Sequence, residues 1–258
     1  MAENTRLEVA LREWALKKAF GPTLDALGED LKRLNAVGRD KILANAYRKI
    51  DSRDQGKAVN LRITRDVLWN GAFTEEEICA EYFGGILASS RSENGSDDSS
   101  IYYVEVIKGL SSKQLRLHYV IYNSLNKLLA KRGSPVNVAQ GTEIHAQNVW
   151  FSAAELVDAL SLRIDSDLNI LHREGLLIQY KTGSHVEGTK AFPYASVSPT
   201  TFGVLLYAAA HNKIGEWRKF AAIEFGDFPD IQRPRFCALN LDDLLIAVGL
   251  KESKKPAT

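Results

Sequence analysis

From Ser111 to Arg132 the chain runs without one acidic residue, and the breaking sequence Gly133-Ser134-Pro135 follows at once. Placed at 100° per residue, as a helix would set them, Lys113, Arg116, Lys127 and Lys131 gather in a stripe about 60° wide. Leu115, Ile121, Tyr122, Leu125 and Leu129 cover the other side, with His118 inside that apolar arc. Such a helix would be about 33 Å long at 1.5 Å per residue. The rest of a chain of 258 residues has to be arranged around it.

The flanking sequence also reads as mostly helical. Leu7, Leu11, Trp14 and Leu16, then Leu24, Leu27, Leu31 and Leu34 after Gly21-Pro22, predict a helical hairpin or a kinked helix. Arg39 to Ile50 predicts another helix, joined through a solvated connection at Ser52 to Lys57. Thr74 with Glu77 three residues later has the form of a capping box, opening a helix through Ile78, Tyr82, Phe83, Ile86 and Leu87. Ser90 to Ser100 is a run of small and acidic residues, expected as an exposed, mobile loop before a short helix from Ile101 to Lys108.

After residue 150 the pattern changes. Helices are expected at Ser152 to Leu160 and Ser166 to Glu174, followed by Gly175. A strand at Leu176 to Tyr180, a glycine-bearing turn at Lys181 to Lys190 and a strand at Ala195 to Ser198 come next. That order is the order of a winged helix. Thr200 and Thr201 then cap a helix through Leu205 and Ala209, and a last helix spans Leu241 to Val248. The expected fold is therefore mainly α, a helical domain followed by a winged-helix-like segment with a short β-hairpin. Its divisions are an N-terminal helical region (1–60), a central helical domain (61–150), a winged-helix-like domain (151–250) and a disordered tail (251–258).

Charge narrows the function classes. With 33 basic and 32 acidic residues the whole molecule has no general attraction to nucleic acid or membrane, so any such binding must be local. Cys79 and Cys237 are too few for a disulfide framework, which favours a reducing cytoplasm. The opening MAENTRLEVALREW lacks the apolar core of a secretory signal. Ala191 to Asn212 carries no Asp, Glu, Lys or Arg, but Pro193 and Pro199 argue against a membrane span, and no transmembrane segment is expected.

Within the winged segment, Arg163, Arg173, Lys181 and Lys190 are balanced by Asp165, Asp167, Glu174 and Glu187, which weighs against sequence-specific DNA binding. The stripe of Lys113, Arg116, Lys127 and Lys131 is the better candidate for an anionic partner or an interface. Its other reading is a solvated face, or one paired with acids such as Glu93, Asp97 and Asp98. His118 reads as a hydrogen-bonded core histidine, or else as a general acid or base working with Tyr119 or Tyr122. No metal-ligand spacing, phosphate loop or nucleophile elbow is present, so neither a metal nor a cofactor is expected.

The stretch EYFGGILASSR (Glu81 to Arg91), a polar gap with DDSS, and YVEVIKGLSSKQLRLHYVIYNSL (Tyr103 to Leu125) resemble the central region of the abortive infection alpha family, Abi-alpha. LNILHREGLLIQY (Leu168 to Tyr180) and VSPTTFGVLLYAAA (Val197 to Ala210) resemble its C-terminal part. The resemblance covers roughly 78–210 and leaves the helices before about Thr64 outside. It implies a bacterial protein of phage defence, in which an infected cell stops growing or dies before phage is released, and it carries over no catalytic residue. The expectation is a non-enzymatic sensor or effector acting through protein contacts with a phage component, a neighbouring defence protein or a second copy of itself. A nucleic-acid-binding regulator, using the winged segment or the basic helix 111–132, is the alternative. A toxin-like enzyme with a scattered active site, His118 first among its residues, is a third reading.

Overall fold

A computed structural model describes residues 36–50, 56–71, 76–133, 135–229 and 231–252. The helices read from Leu7 to Leu34, the cap at Thr74 and the tail beyond residue 252 lie outside the described residues. The chain divides into two compact units, one formed by residues up to Leu110 with 209–214, the other by 111–208 with residues from 215 onward. The division falls after Leu110, inside the stretch expected as a central domain. The reason is the long helix, which belongs with the elements that follow it.

The first unit holds α1 (Ala36–Lys49), α2 (Leu61–Gly71), α3 (Glu77–Ser89) and α4 (Ile101–Lys108), with a two-strand ladder of β1 (Ala58–Val59) and β2 (Arg91–Ser92). Helix α3 is buried almost all round, from Ile78 to Ala88, so its two glycines serve close packing rather than flexibility. A Cβ on Gly84 would meet the Ile42 carbonyl oxygen of α1 at 2.8 Å, and one on Gly85 would sit 1.9 Å from the carbonyl oxygen of Ala210.

Ser90 to Ser100, expected as a mobile loop, is exposed over most of its length but tied at several points. The Arg91 guanidinium donates to the Lys57 carbonyl, and Asn60 donates to the Gly95 carbonyl while its own side-chain oxygen accepts from the N–H groups of Arg62 and Ile63 to cap α2. A polar composition reads as an exposed, mobile loop because hydrogen bonds to distant backbone leave no periodic trace in sequence.

Inside this unit lies a buried ion pair. Glu81 has no exposed surface, and the Lys49 ammonium approaches its carboxylate at 2.6 Å while also donating to the Glu81 carbonyl at 2.6 Å and the Ala210 carbonyl at 2.8 Å. Arg48 contacts the same carboxylate from the partly exposed side. Burial pulls the Lys49 amine down to about 8, and Glu81 opposes that shift. Asn212 donates to the Lys49 carbonyl, so the segment 209–214 is held on both sides of Lys49.

The second unit is built on α5 (Ser112–Arg132). Ser111 and Gln114 form a reciprocal capping box at its start, and Gly133 ends it with φ +65°. Every residue from Leu117 to Asn126 is buried, as a helix surrounded by other elements requires. Next come α6 (Gly141–His145), β3 (Val149–Ser152), α7 (Ala153–Leu160), α8 (Ile164–Arg173), β4 (Leu177–Glu187), β5 (Lys190–Pro199) and α9 (Thr201–Ala210). A 3-10 turn (Ile214–Lys219), β6 (Cys237–Ala238) and α10 (Leu241–Ala247) complete it, although the last two residues of α9 group with the first unit. The fold is mainly helical, as the sequence predicts.

The sheet is antiparallel throughout, in the order β4-β5-β3-β6. Its hairpin is much longer than expected. The residues read as a turn, Lys181 to Lys190, are mostly strand, and only Gly188 and Thr189 form the turn itself. Because β3 pairs with β5 only over Tyr194 to Val197, the end of the hairpin beyond Gly183 and Tyr194 is a two-stranded ribbon.

Candidate functional site

The basic stripe on α5 is not one open surface. Lys113 is exposed and donates to the Ser161 carbonyl at 2.7 Å. Arg116 is half-buried, and Lys127 is paired with the Asp227 carboxylate at 2.7–2.8 Å. Lys131 is exposed and, with Arg132, Cys237, Asn240 and Asp243, lines an open hollow of about 620 Å³. The acid that meets the stripe comes from residue 227, about 100 positions downstream of Lys127. Asp98, proposed for that pairing, meets Arg62 instead at 3.2 Å.

His118, Tyr119 and Tyr122 are fully buried. Burial pushes the His118 imidazole down to about 3, a shift only partly opposed by a hydrogen bond with the Gly203 backbone, so the ring is neutral at pH 7. Its ring lies 4.6 Å from that of Tyr122. The Tyr122 hydroxyl donates to the Leu176 carbonyl at 2.5 Å and accepts from the Thr200 N–H at 3.0 Å, and burial holds its pKa above the ordinary tyrosine value. Those two bonds join the start of β4 to the start of α9. A Cβ on Gly203 would sit 1.9 Å from the Tyr122 hydroxyl, so only glycine lets the phenol reach its partners. Tyr119 accepts from the Phe228 N–H at 2.8 Å and stacks on the Phe228 ring at 4.6 Å. The three side chains are brought together, but their polar atoms hold backbone in place.

A second polar group on α5 has no counterpart in the sequence reading. Asn126 donates to the carbonyls of Phe220 and Ile223 and accepts from the Phe225 N–H. Asn123 donates to the Tyr207 hydroxyl, to the Gly226 carbonyl and to Asp227, and accepts from Arg233. With Lys127 and Arg233 both on Asp227, this network fastens Phe220 to Asp227 and Arg233 along α5. Two asparagines three residues apart between the apolar residues Ile121, Leu125 and Leu129 are the sequence signal that points to it, since buried amides must be satisfied.

The outer side of α8 is a polar surface. Asp165, Ser166, Asn169, His172 and Arg173 are exposed, while Leu168 and Leu171 enter the core. Asp167, counted among the acids of this segment, is buried instead. Its carboxylate accepts from the Arg163 N–H at 2.8 Å and from Gln114 at 3.0 Å, closing the start of α8 and tying it to α5. Asn169 meets the Tyr180 hydroxyl and Thr182 meets Asp165, so β4 is held against α8 by side-chain bonds.

Among the described residues no group of three or more His, Cys, Asp and Glu side chains could hold a metal ion, and no helix is long and apolar enough to cross a membrane. The chain matches no protein-family model, no curated protein and no solved structure.

Proposed function

We propose that the chain is a non-enzymatic recognition protein of bacterial phage defence, working in the cytoplasm. Its second unit would be a winged helix that offers α8 and the β4–β5 ribbon to a protein partner, either a phage component or a neighbouring defence protein. The observation that carries the binding reading is a contrast in exposure. Asn169, Arg173, Lys181 and Lys190 stand at the surface, whereas His118, Tyr119 and Tyr122, the acid–base candidates, are sealed in the core. The winged-helix assignment is supported by the element order α6-β3-α7-α8-β4-β5 and by β5 lying between β4 and β3. The defence assignment is supported by the Abi-alpha resemblance over Glu81 to Arg91, Tyr103 to Leu125 and the two later stretches.

The test is a phage challenge of bacteria carrying the gene alone and with its native neighbours. Fewer plaques at low phage dose, with collapse of the culture at high dose, is the expected result. Asn169→Ala with Arg173→Ala should lose the protection at unchanged protein level. Absence of protection against every phage tried removes the defence reading.

One observation favours a second reading, a nucleic-acid-binding regulator. The burial of Asp167 takes one acid off the α8 surface, so that Asp165 is the exposed acid there beside the exposed Arg163 and Arg173, with Lys181 exposed on β4. That reading predicts duplex affinity falling about 10-fold or more between 50 and 200 mM salt, as counterion release requires. Affinity indifferent to salt would remove it.

A further inference from the structure

We infer that the open edge of β4 is a self-pairing surface, on which Lys181 to Glu187 hydrogen-bond antiparallel to the same residues of a second copy of this chain about a two-fold axis at Ser184. β4 is the terminal strand of its sheet, and among the described strands it pairs only with β5. Its outer half belongs to the two-stranded ribbon, where Ser184, Val186 and Glu187 are exposed and Val186 leaves 66% of its surface in water. An edge of that length with an apolar side chain at its end is a template for strand addition unless something blocks it.

The direction of the backbone groups follows from the turn. Gly188 and Thr189 make a two-residue connection with φ +58° at the glycine, the geometry of a II′ hairpin, which closes on the pair Glu187 and Lys190. Hydrogen-bonding direction alternates along a strand. The N–H and C=O groups of Thr182, Ser184 and Val186 therefore point away from β5. They are the groups that an axis at Ser184 uses, setting Thr182 against Val186 of the second copy and Ser184 against its own equivalent.

Charge selects this register over its neighbours. With the axis at Ser184, Lys181 stands opposite Glu187 of the second copy, and the symmetry repeats the pair. Moving the axis two residues to Thr182 puts Lys181 against Gly183, and moving it to Val186 puts Glu187 against His185. Neither alternative joins opposite charges directly across the strands, the arrangement that favours pairing. The joined sheets form one continuous sheet of eight strands, and the surface is self-complementary, as a two-fold contact has to be.

The experiment combines cross-linking with charge exchange on the full chain. Equivalent residues at the axis should stand about 5.5 Å apart at Cα, inside the disulfide range. Under air oxidation Ser184→Cys should form a covalent dimer, wild-type protein with its native Cys79 and Cys237 serving as control. Lys181→Cys alone should not, whereas Lys181→Cys mixed with Glu187→Cys should. In sedimentation over about two decades of concentration, Lys181→Glu and Glu187→Lys should each weaken self-association about 10-fold or more, and the two together should restore it. These positions are exposed, so circular dichroism should confirm an unchanged fold. Wild-type protein that stays monomeric throughout overturns the inference. So does self-association untouched by either charge reversal, or Ser184→Cys cross-linking no faster than Lys181→Cys.

Discussion

The stability of the second unit should fall steeply as pH drops below about 6.5, and His118→Gln should remove much of that slope. The imidazole ionises near 3 when folded, against 6.5 when exposed. The unfolded chain therefore takes up a proton that the folded chain refuses. The resulting stabilisation is complete above pH 6.5 and is lost as pH falls through the folded value, a total of about 5 kcal/mol at about 1.36 kcal/mol per pH unit. Near neutral pH the glutamine variant should be weaker by about 1–3 kcal/mol, because it loses the Tyr122 ring contact and the Gly203 hydrogen bond. The order of the two proteins should then reverse between about pH 6 and about pH 4. Urea midpoints of both proteins at several pH values from 7 to 4 read this directly; a constant difference between them would show that His118 is not the buried group responsible.

The other large effect is expected at Gly85. Alanine is ordinarily the better helix former by about 1 kcal/mol, and Gly85 lies within the helix α3. Here the sign should reverse. The added methyl would sit 1.9 Å from the Ala210 oxygen and 2.3 Å from its carbonyl carbon, and both are backbone atoms that cannot rotate away. Relief requires the end of α9 to lift from α3, which also breaks the bond from Lys49 to that carbonyl. A loss of about 3 kcal/mol or more is expected for Gly85→Ala, at the upper end of overpacking costs. Gly215 has open space at its Cβ position, so Gly215→Ala should change stability by less than about 0.5 kcal/mol. Thermal melts of the two variants beside the wild type make the comparison, and equal melting temperatures would contradict the close approach.

These two residues also mark what the sequence carries and what it does not. His118 was placed in an apolar arc by helical spacing alone, because a buried helix face repeats every three to four residues and a histidine inside it has to follow. The ends of α5 were equally legible from Ser111 and from Gly133-Ser134-Pro135. The closeness of Gly85 to Ala210 was not, since it joins positions 125 residues apart that share no pattern. The ribbon was missed for a different reason. From Thr182 to Thr189 no residue is buried, so nothing imposes the alternation that marks a half-buried strand, and glycines with polar residues read as turn. β3 and β6 are too short to carry a period. Asn123 and Asn126 sat in plain view, but their partners between 220 and 227 could only be found in three dimensions.

The contribution of 209–214 to the first unit has a consequence during synthesis. That unit is covalently almost complete at Leu110, yet the Ala210 carbonyl that receives the Lys49 ammonium leaves the ribosome about 100 residues later, some 5–20 s at ordinary elongation rates. Until then Lys49 lacks one of its acceptors, and the seat beside Gly85 stands open. A nascent chain of this protein passes through an interval in which its first half is present and cannot finish folding, and a chaperone or a competing helix has that interval in which to occupy the seat.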